Sequence, residues 1–296
     1  MKVAIGIDIG GTKIRGGLVR DDGKVLRISE VPTHATNGGK AVMERIMALI
    51  DELGIAHACG IGVGATGQIG LSGQILSATS TFPAWAGIAL RDELATRYGL
   101  PVQVVNDVQA MALGEQHYGS GRGIADFVCL ALGTGVGGAI VSAGKLVRGA
   151  NGAAGEIGHL THRHGGRLCP CGKSGCLEAY VSGRALAERF YETYGIHKTA
   201  STILQEAQSG DPAAQAMRDE FVDDLSSGIA SLATLLNPRK IIVGGGIAQS
   251  LAPFLPIIGQ QVVRQLSHAA ALTFSVELSE LRDESMLLGA ASLVFS

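Results

Sequence analysis

The sequence predicts an α/β protein made of two similar lobes. A strand, a glycine-rich turn, a second strand and a second turn occupy residues 3–24, and the same order returns at residues 127–145. The two copies lie roughly 125 residues apart, which indicates an internal duplication. Each copy is followed by helical spacing and further buried strands, so each half predicts a sheet covered by helices. We expect a first domain at 1–117, joined by a C-terminal helix at 283–296, and a second domain at 118–282.

In the first half, β-branched apolar runs bounded by turn residues predict the strands. These strands are expected at residues 3–9, 14–19, 25–31, 59–64 and 102–105. Apolar residues at helical spacing predict a helix over 42–53 that ends at Gly54, and another over 91–98 that ends at Gly99. A further helix is expected to begin near Asp107.

The second half shows the same alternation of strands and helices. Strands are expected at residues 127–132, 139–141, 240–243 and 273–278. Asp211 followed by Pro212 is typical of a helix start, and this helix is predicted to reach about Leu236. A final helix is predicted over residues 285–294.

Composition excludes several classes of protein. Of 296 residues, 46% are hydrophobic and 17% are charged, so the chain can bury a large core and is not disordered. A net charge of -2 and an aromatic content of 4% provide neither a positive field nor a stacking platform for nucleic acid. The long uncharged stretches at 54–90 and 241–263 are interrupted by glycines and predict no membrane helix. We therefore expect a soluble, cytoplasmic protein with no nucleic-acid partner and no membrane partner.

Glycine, at 43 residues, is unusually abundant and gathers in three clusters that follow predicted strands. The first cluster follows Asp8 and consists of Gly10, Gly11, Thr12 and Lys13. It joins two strands, so neither a P-loop nor a dinucleotide-binding motif fits. Backbone N–H groups of such a turn can bind phosphate oxygens, and a nearby carboxylate can orient Mg²⁺ through water. The alternative interpretation is an ordinary hairpin.

The other two glycine clusters strengthen the phosphate-binding interpretation. The second cluster, over residues 133–138, contains Gly133, Thr134, Gly135, Gly137 and Gly138, and the third contains Gly244, Gly245 and Gly246. Because the same turn recurs after the same kind of strand, phosphate binding is favoured over a plain hairpin.

Four residues with metal-ligand chemistry lie close together in the sequence. They are His159, Cys169, Cys171 and Cys176. Three thiolates and one imidazole complete a tetrahedral Zn²⁺ site and leave no open position, which predicts a structural zinc. The alternative is three free or buried thiols.

The remaining cysteines and nearby histidines receive simpler interpretations. Cys59 and Cys129 lie in strand-like runs and are interpreted as small core residues. His162 and His164 are expected on the surface, and a role as spare metal ligands is the alternative.

Asn106 and Asp107 stand where a predicted strand ends and a helix begins. Side chains of this type commonly cap a helix, and that is the alternative to a functional role. A carboxylate at this position can also accept the proton of a hydroxyl group during phosphoryl transfer. The pair is therefore a candidate catalytic site.

These motifs together resemble those of the ROK family of repressors, open reading frames and sugar kinases. They are DIGGTK at 8–13, ND at 106–107, GTGVGG at 133–138, GEIGH at 155–159 and CPCGKSGCLE at 169–178. The resemblance implies the duplicated actin-like fold shared by sugar kinases, Hsp70 and actin, with the active-site cleft and Mg·ATP between the two lobes. It also implies a homodimer.

The family's roles transfer to the positions that match its motifs. Asp107 is then the general base that takes the proton from the sugar hydroxyl. The implied sugar contacts are Thr66, Asn106, Asp107, Glu156, His159 and Glu178. The phosphates are implied to lie at the first two glycine clusters and the adenosine near the third. A zinc ion would fix the ring of His159 and the loop that bears Glu178.

The resemblance implies ATP-dependent phosphorylation of the 6-hydroxyl of a hexose or an N-acetylhexosamine. The segment 78–85 has serine and threonine but no asparagine before Trp85, which is more similar to the family's N-acetylmannosamine kinases than to its glucokinases. N-acetylmannosamine, a substrate of sialic acid catabolism, is therefore favoured, and glucose is the alternative. Trp85 either lines the sugar cleft or packs in the core. A sugar-responsive regulator without catalysis is disfavoured, since no basic recognition helix precedes the first strand.

Overall fold

The computed structural model describes residues 1–79 and 82–295. Its strands are β1 (Val3–Ile9), β2 (Lys13–Arg20), β3 (Val25–Pro32), β4 (Ile61–Ala65), β5 (Gln68–Ile69), β6 (Ile75–Ser77), β7 (Val102–Asn106), β8 (Phe127–Leu132), β9 (Val136–Ser142), β10 (Lys145–Leu146), β11 (Lys240–Gly244) and β12 (Ser275–Leu278). Its α-helices are α1 (Gly39–Leu53), α2 (Leu90–Tyr98), α3 (Asp107–Tyr118), α4 (Glu178–Val181), α5 (Gly183–Tyr194), α6 (Ala200–Gln208), α7 (Pro212–Leu236), α8 (Ala248–Leu251), α9 (Leu255–Val263), α10 (His268–Ala271) and α11 (Ser285–Ser292). Within the described ranges, no helix combines the length and the apolar character that crossing a bilayer requires.

The chain folds into two compact units. The first comprises Met1–Gly123, Leu146–Ala154 and Glu280–Ser296, and the second comprises Ile124–Lys145 and Gly155–Ser279. This division differs from the sequence-based boundaries mainly in the segment Leu146–Ala154, which begins at the last residue of β10 and belongs to the first unit.

Hydrogen bonds explain why the segment Leu146–Ala154 belongs to the first unit. The guanidinium of Arg148 donates to the carbonyl oxygen of Gly70 at 3.3 Å. The side-chain amide of Gln109 in α3 donates to the carbonyl oxygen of Gly152 at 3.1 Å. No local pattern in the sequence reports such long-range contacts, so the expected boundary missed this segment.

The first unit is built on a sheet with the strand order β3-β2-β1-β4-β7. β1, β2 and β3 form an antiparallel meander, whereas β4 lies parallel to both β1 and β7. In this register Asp8 is opposite Gly64, and Ala65 is opposite Asn106. The carboxyl ends of parallel strands share one edge of a sheet, so Asp8 and Asn106 lie at the same edge.

Helix α1 covers one face of this sheet. It buries apolar side chains at helical spacing and ends, as predicted, at Gly54, where φ is 81°. Gly16 in β2 faces this helix, since a Cβ at that position would lie 2.8 Å from Cδ1 of Leu53. The next residue, Gly17, points to the other face, where a Cβ would lie 3.1 Å from Leu287 of α11.

Helix α11 covers the opposite face and approaches its neighbours more closely than ordinary side chains permit. A Cβ at Gly62 in β4 would lie 1.8 Å from the carbonyl oxygen of Ala290. A Cβ at Gly289 in α11 would lie 1.7 Å from the carbonyl oxygen of Ala110 in α3. Glycine at these positions therefore allows backbone to pack on backbone, which holds α3 and α11 together on the sheet.

The second unit repeats the architecture of the first. Its sheet has the order β10-β9-β8-β11-β12. β8 and β9 form an antiparallel hairpin, and β11 lies parallel to both β8 and β12. An antiparallel hairpin followed by parallel strands thus occurs in each unit, and the predicted duplication is confirmed.

One predicted element of the second unit is wrong in its extent. β9 begins at Val136, so the glycine turn ends earlier than the expected residues 133–138. Gly137 pairs with Ala131 and Gly138 pairs with Leu130. A Cβ at Gly138 would lie 2.4 Å from Cδ1 of Ile157, so packing inside the unit already requires glycine at this position.

The longest helix of the second unit follows its sequence signals closely. Asp211 caps α7 by accepting the N–H of Ala214 at 2.8 Å, and Pro212 is its first residue. The helix ends at Leu236, and Asn237 adopts the left-handed conformation with φ of 45°. Both ends agree with the prediction.

The close approach of α11 to α3 predicts a large effect of a single methyl group. Gly289→Ala should lower the free energy of unfolding by about 3 kcal/mol, because the added Cβ must displace backbone rather than a flexible side chain. Urea denaturation followed by circular dichroism measures the change. Gly259→Ala is the matched control, since Gly259 lies in α9 with nothing within 4 Å of its Cβ position. Equal stability of the two variants would contradict the packing account.

Candidate active site

The first glycine turn is held from one side and open on the other. The N–H of Gly10 donates to the carbonyl oxygen of Lys13 at 3.0 Å. Buried Thr33 donates its hydroxyl to the carbonyl of Gly10 at 2.7 Å and its N–H to the carbonyl of Thr12 at 2.9 Å. Gly11, Thr12 and Lys13 are exposed. A turn fixed in this way can present its outer N–H groups to a phosphate.

Asp8 precedes this turn and has unusual electrostatics. Its side chain is partly accessible to solvent but surrounded by protein atoms. This desolvation, together with the charge of Asp107, raises the pKa of Asp8 from 3.8 to about 7. Arg15 and Lys13 oppose the shift, although the ammonium of Lys13 lies 3.0 Å from Glu30. Such a shift is typical of functional sites, and a bound cation would favour the charged carboxylate.

Asn106 caps the helix that Asp107 begins. Its side-chain oxygen accepts the N–H groups of Val108 at 2.9 Å and Gln109 at 3.4 Å. Gln109 in turn accepts the N–H of Asn106 at 3.3 Å, which completes a capping box. The Asn106 amide also donates to the carbonyl oxygen of Gly67 at 3.0 Å. The capping role is therefore present, and it fixes the start of α3 against the loop after β4.

Asp107 and Asp8 are brought together because the strand between them carries a glycine. A Cβ at Gly64 in β4 would lie 2.9 Å from the Cβ of Ala110 and 3.7 Å from the Cα of Asp107. Helix α3 can therefore lie directly over β4, close enough for the charge of Asp107 to act on Asp8. Asp107 stands at the N-terminal, positive end of the α3 dipole.

Thr66 is positioned by the single tryptophan of the chain. The indole N–H of Trp85 donates to the carbonyl oxygen of Thr66 at 3.1 Å. The backbone N–H of Thr66 donates to the carbonyl oxygen of Ile9 at 3.2 Å. Trp85 is fully buried against Phe82, with ring centroids 5.4 Å apart. Of the two roles considered for Trp85, the structure shows packing.

In the second unit, two glycine clusters meet at the carboxyl ends of β8 and β11. The N–H of Gly133 donates to the carbonyl of Gly135 at 3.0 Å across the hairpin turn. Gly245 has a φ of 89°, and a Cβ there would lie 2.6 Å from the carbonyl oxygen of Leu132. The carbonyl of Gly133 accepts the N–H of Gly183, the first residue of α5, at 2.7 Å. The clusters interpreted from the sequence as phosphate and adenosine sites are therefore neighbours.

His159, Cys169, Cys171 and Cys176 form one cluster, with all their ligand atoms within 4.8 Å of one another. The sulfurs of Cys171 and Cys176 are 3.7 Å apart, and the sulfur of Cys169 lies 3.8 Å from Nδ1 of His159. Zn–S bonds of about 2.3 Å in a tetrahedral site place two sulfurs about 3.8 Å apart, so the spacing fits zinc. Burial raises the pKa of the Cys169 thiol to about 12, so a thiolate there requires a cation.

The predicted sugar ligands of the second unit lie beside this cluster. Nε2 of His159 lies 3.9 Å from a carboxylate oxygen of Glu156, whose side chain is 40% exposed. Glu178, with a side chain only 12% exposed, accepts the N–H of Val136 at 2.9 Å. A metal on Nδ1 would fix the ring of His159 and leave Nε2 facing Glu156.

The expectation that His162 lies on the surface is wrong. Its side chain is only 12% exposed, and Nε2 lies 2.9 Å from Oδ1 of Asp224 in α7. Asp224 also pairs with Arg163, and with Arg189 at 3.3 Å. Burial disfavours its charge, but the hydrogen bonds from His162 and Arg163 prevail and lower the pKa of Asp224 below its ordinary value. This carboxylate thus ties the cysteine-containing loop to the helices, whereas His164 is exposed as expected.

Asp224 was not among the residues singled out from the sequence. It lies on the buried face of α7 between Phe221 and Leu225. An acid inside an otherwise apolar helix face is the signal that could have identified it, since buried carboxylates are almost always paired.

Comparison with known proteins identifies the family. The sequence matches the ROK family over residues 4–296, and the chain belongs to it. It is 35% identical to a glucokinase of Thermotoga maritima over 98% of this chain and 96% of that protein. It is 33% identical to an N-acetylmannosamine kinase of Escherichia coli O157:H7 over 98% and 97%.

Solved structures support the same classification. The fold is similar to that of a ROK family glucokinase from Streptomyces griseus in complex with glucose and AMPPNP, with a TM-score of 0.84 and 34% identity. The match covers 98% of each chain. The predicted duplicated actin-like α/β fold is therefore confirmed.

The shifted pKa of Asp8 predicts a pH-dependent effect of its removal. Between 3.8 and about 7, the folded state binds the Asp8 proton more tightly than the unfolded state does, so the contribution of Asp8 to stability falls as pH rises. Asp8→Asn carries no charge, so its stability relative to wild type should rise by about 2 kcal/mol between about pH 5.5 and about pH 8. Urea denaturation without Mg²⁺ measures this difference. The same difference at both pH values would contradict the shift.

The position of Asp224 predicts that it stabilises the second unit. Asp224→Asn should lower the free energy of unfolding by about 3 kcal/mol, because two arginines would lose their buried counter-charge. Asp223→Asn is the control, since the neighbouring Asp223 is exposed and bonded only through Gln261 in the contacts described, at 2.8 Å. Chemical denaturation measures the free energy of unfolding of both variants. An equal decrease in the two would show that the buried network does not stabilise the unit.

Proposed function

We propose that this sugar kinase of the ROK family transfers the terminal phosphoryl group of ATP to the 6-hydroxyl of a hexose or an N-acetylhexosamine. The observation that carries the proposal is the placement of Asp107 at the N-terminus of α3, beside Asp8. A carboxylate in this position can accept the hydroxyl proton as the phosphoryl group is transferred. Asp107 is therefore assigned as the general base.

The glycine clusters are assigned to the nucleotide. Phosphate oxygens would accept hydrogen bonds from the turns that contain Gly10, Gly11, Thr12 and Lys13 in the first unit, and Gly133, Thr134 and Gly135 in the second. The neighbouring Gly244 and Gly245 would face the adenosine. Mg²⁺ bound with the phosphates would offset their charge, and Asp8 would orient it. The packing of Gly138 makes a direct phosphate role at this residue unnecessary.

The sugar is assigned to polar side chains that accept and donate hydrogen bonds in fixed directions. Glu156 and His159 lie together in the second unit, which supports a shared contact with one polyol. The side-chain amide of Asn106 has two N–H groups, and one of them donates to the carbonyl oxygen of Gly67. The other is assigned to the sugar, and Asp107 is the next residue in the chain. Thr66 and Glu178 complete the set by family resemblance.

We propose a structural Zn²⁺ at His159, Cys169, Cys171 and Cys176. When bound, the ion would supply a fixed tetrahedral junction for the loop and hold the three thiols as thiolates. The loop residues would then orient the ring of His159 toward the sugar. The spacing between the ligand atoms supports this assignment.

We propose N-acetylmannosamine as the preferred sugar. The support is the serine- and threonine-containing segment 78–85, in which Ser80 and Thr81 lie outside the described residues. Glucose is the second candidate, because the glucokinase of Thermotoga maritima is 35% identical over 98% of this chain.

The assignment of Asp107 predicts a loss of turnover without a loss of sugar binding. Asp107→Asn should lower kcat by about 10²- to 10⁴-fold, because an amide cannot take the hydroxyl proton. A coupled ADP assay measures kcat, and calorimetry measures sugar affinity. Asp92→Asn is the control, since Asp92 is another acid in the first turn of a helix and is exposed. A near-normal kcat in Asp107→Asn would rule out the base assignment.

The metal assignment predicts one zinc ion per chain in the purified protein. Cys171→Ser should lose most of this zinc and unfold at a lower temperature, because a hydroxyl is a poor substitute for a thiolate ligand. Elemental analysis and thermal unfolding measure both effects. Cys59→Ser should retain the zinc, since Cys59 lies outside the cluster. A wild-type protein without zinc would contradict the assignment.

A further inference from the structure

The carboxylate of Glu178 contacts the second glycine turn directly. One oxygen, Oε2, accepts the backbone N–H of Val136, the residue that ends the turn and begins β9, at 2.9 Å. The side chain is only 12% exposed, so water competes little for this hydrogen bond. Glu178 therefore has a structural partner within the turn, besides the sugar contact that family resemblance implies.

Gly135 makes this contact sterically possible. A Cβ at Gly135 would lie 2.5 Å from Oε2 of Glu178. The carboxylate thus occupies the space next to the backbone of the turn, and a side chain at residue 135 would push it away. The hydrogen bond and the close steric fit both place Oε2 of Glu178 against this turn.

The other carboxylate oxygen of Glu178 faces the cysteine cluster and a cation. Oε1 lies 3.8 Å from the sulfur of Cys169 and 3.5 Å from Nη2 of Arg184. In the chain, Glu178 is also only two residues from Cys176. One partly buried side chain therefore joins the proposed metal loop to the proposed phosphate turn.

We propose that Glu178 is a positioning residue that holds the turn of residues 133–135 ready for the nucleotide and makes nucleotide affinity depend on the metal loop. This inference rests on the proposed kinase function. A carboxylate near phosphates would repel them if its charge were unopposed. Here the N–H of Val136 and the guanidinium of Arg184 oppose it, so the carboxylate acts as a fixed acceptor. Fixing the turn before binding reduces the entropy lost when the nucleotide binds.

Nucleotide binding in the absence of sugar separates this role from a sugar contact. Calorimetric titration with Mg·AMPPNP should show Glu178→Ala binding about tenfold or more weakly than wild type, because a charge-assisted hydrogen bond is lost. Glu178→Gln should stay within about twofold, since its amide oxygen still accepts the N–H of Val136. Glu188→Ala is the control. Oε1 of Glu188 lies 3.8 Å from Nε of Arg184, but the Glu188 side chain is 55% exposed and has no described contact with the turn.

The metal link is tested with the wild-type chain. After the zinc is removed with a chelator, Mg·AMPPNP should bind more weakly, and added Zn²⁺ should restore the affinity. Unchanged affinity in the metal-free protein would overturn the link even if Glu178→Ala failed to fold. Wild-type affinity in Glu178→Ala would show that Glu178 does not position the turn. These results differ from a failure of the kinase function, in which the wild-type protein itself would bind no nucleotide.

Discussion

Direct backbone packing between α11, α3 and the sheet is the constraint on which the first unit depends. Glycine at residues 62 and 289 removes the side chains that would otherwise separate these elements, and Gly114 does the same opposite the carbonyl of Ser285. Because α3 is fixed on the sheet by this packing, its first residue, Asp107, lies close to Asp8. Burial is the main cause of the raised pKa of Asp8, and the charge of Asp107 adds to it. The chain's abundance of glycine is thus explained mainly by close packing and turns.

In the second unit, contacts between polar groups, rather than backbone packing, hold the proposed functional residues in position. The segment between His159 and Cys176 has little regular structure, so hydrophobic packing alone cannot define its conformation. The four proposed metal ligands lie together inside this segment, and Asp224 ties it to α5 and α7. Glu178 then extends this support to the glycine turn. The geometry of the proposed sugar and phosphate ligands therefore depends on a few buried polar contacts.

The sequence predicted several elements whose signals are local. β1, β8 and α7 have the expected bounds because β-branched runs, Asp211 and Pro212 act over a few residues. The cluster of His159 and the three cysteines could also be predicted from the sequence, because its members lie close together in the chain. By contrast, the return of Leu146–Ala154, the burial of His162 against Asp224 and the contact of Glu178 with Val136 join residues far apart in the chain. Such contacts follow from tertiary packing and leave no local pattern.

Phosphoryl transfer to a sugar is the central claim, and a product assay tests it most directly. The purified protein would be incubated with Mg·ATP and, separately, N-acetylmannosamine, glucose, N-acetylglucosamine and mannose, with kcat/KM measured for each and the product identified by mass spectrometry and NMR. We predict a 6-phosphate product, with N-acetylmannosamine ahead by about tenfold or more, which equals about 1.4 kcal/mol in transition-state stabilisation. A lead of glucose by the same margin would contradict the substrate assignment. The absence of any phosphorylated sugar would contradict the kinase function.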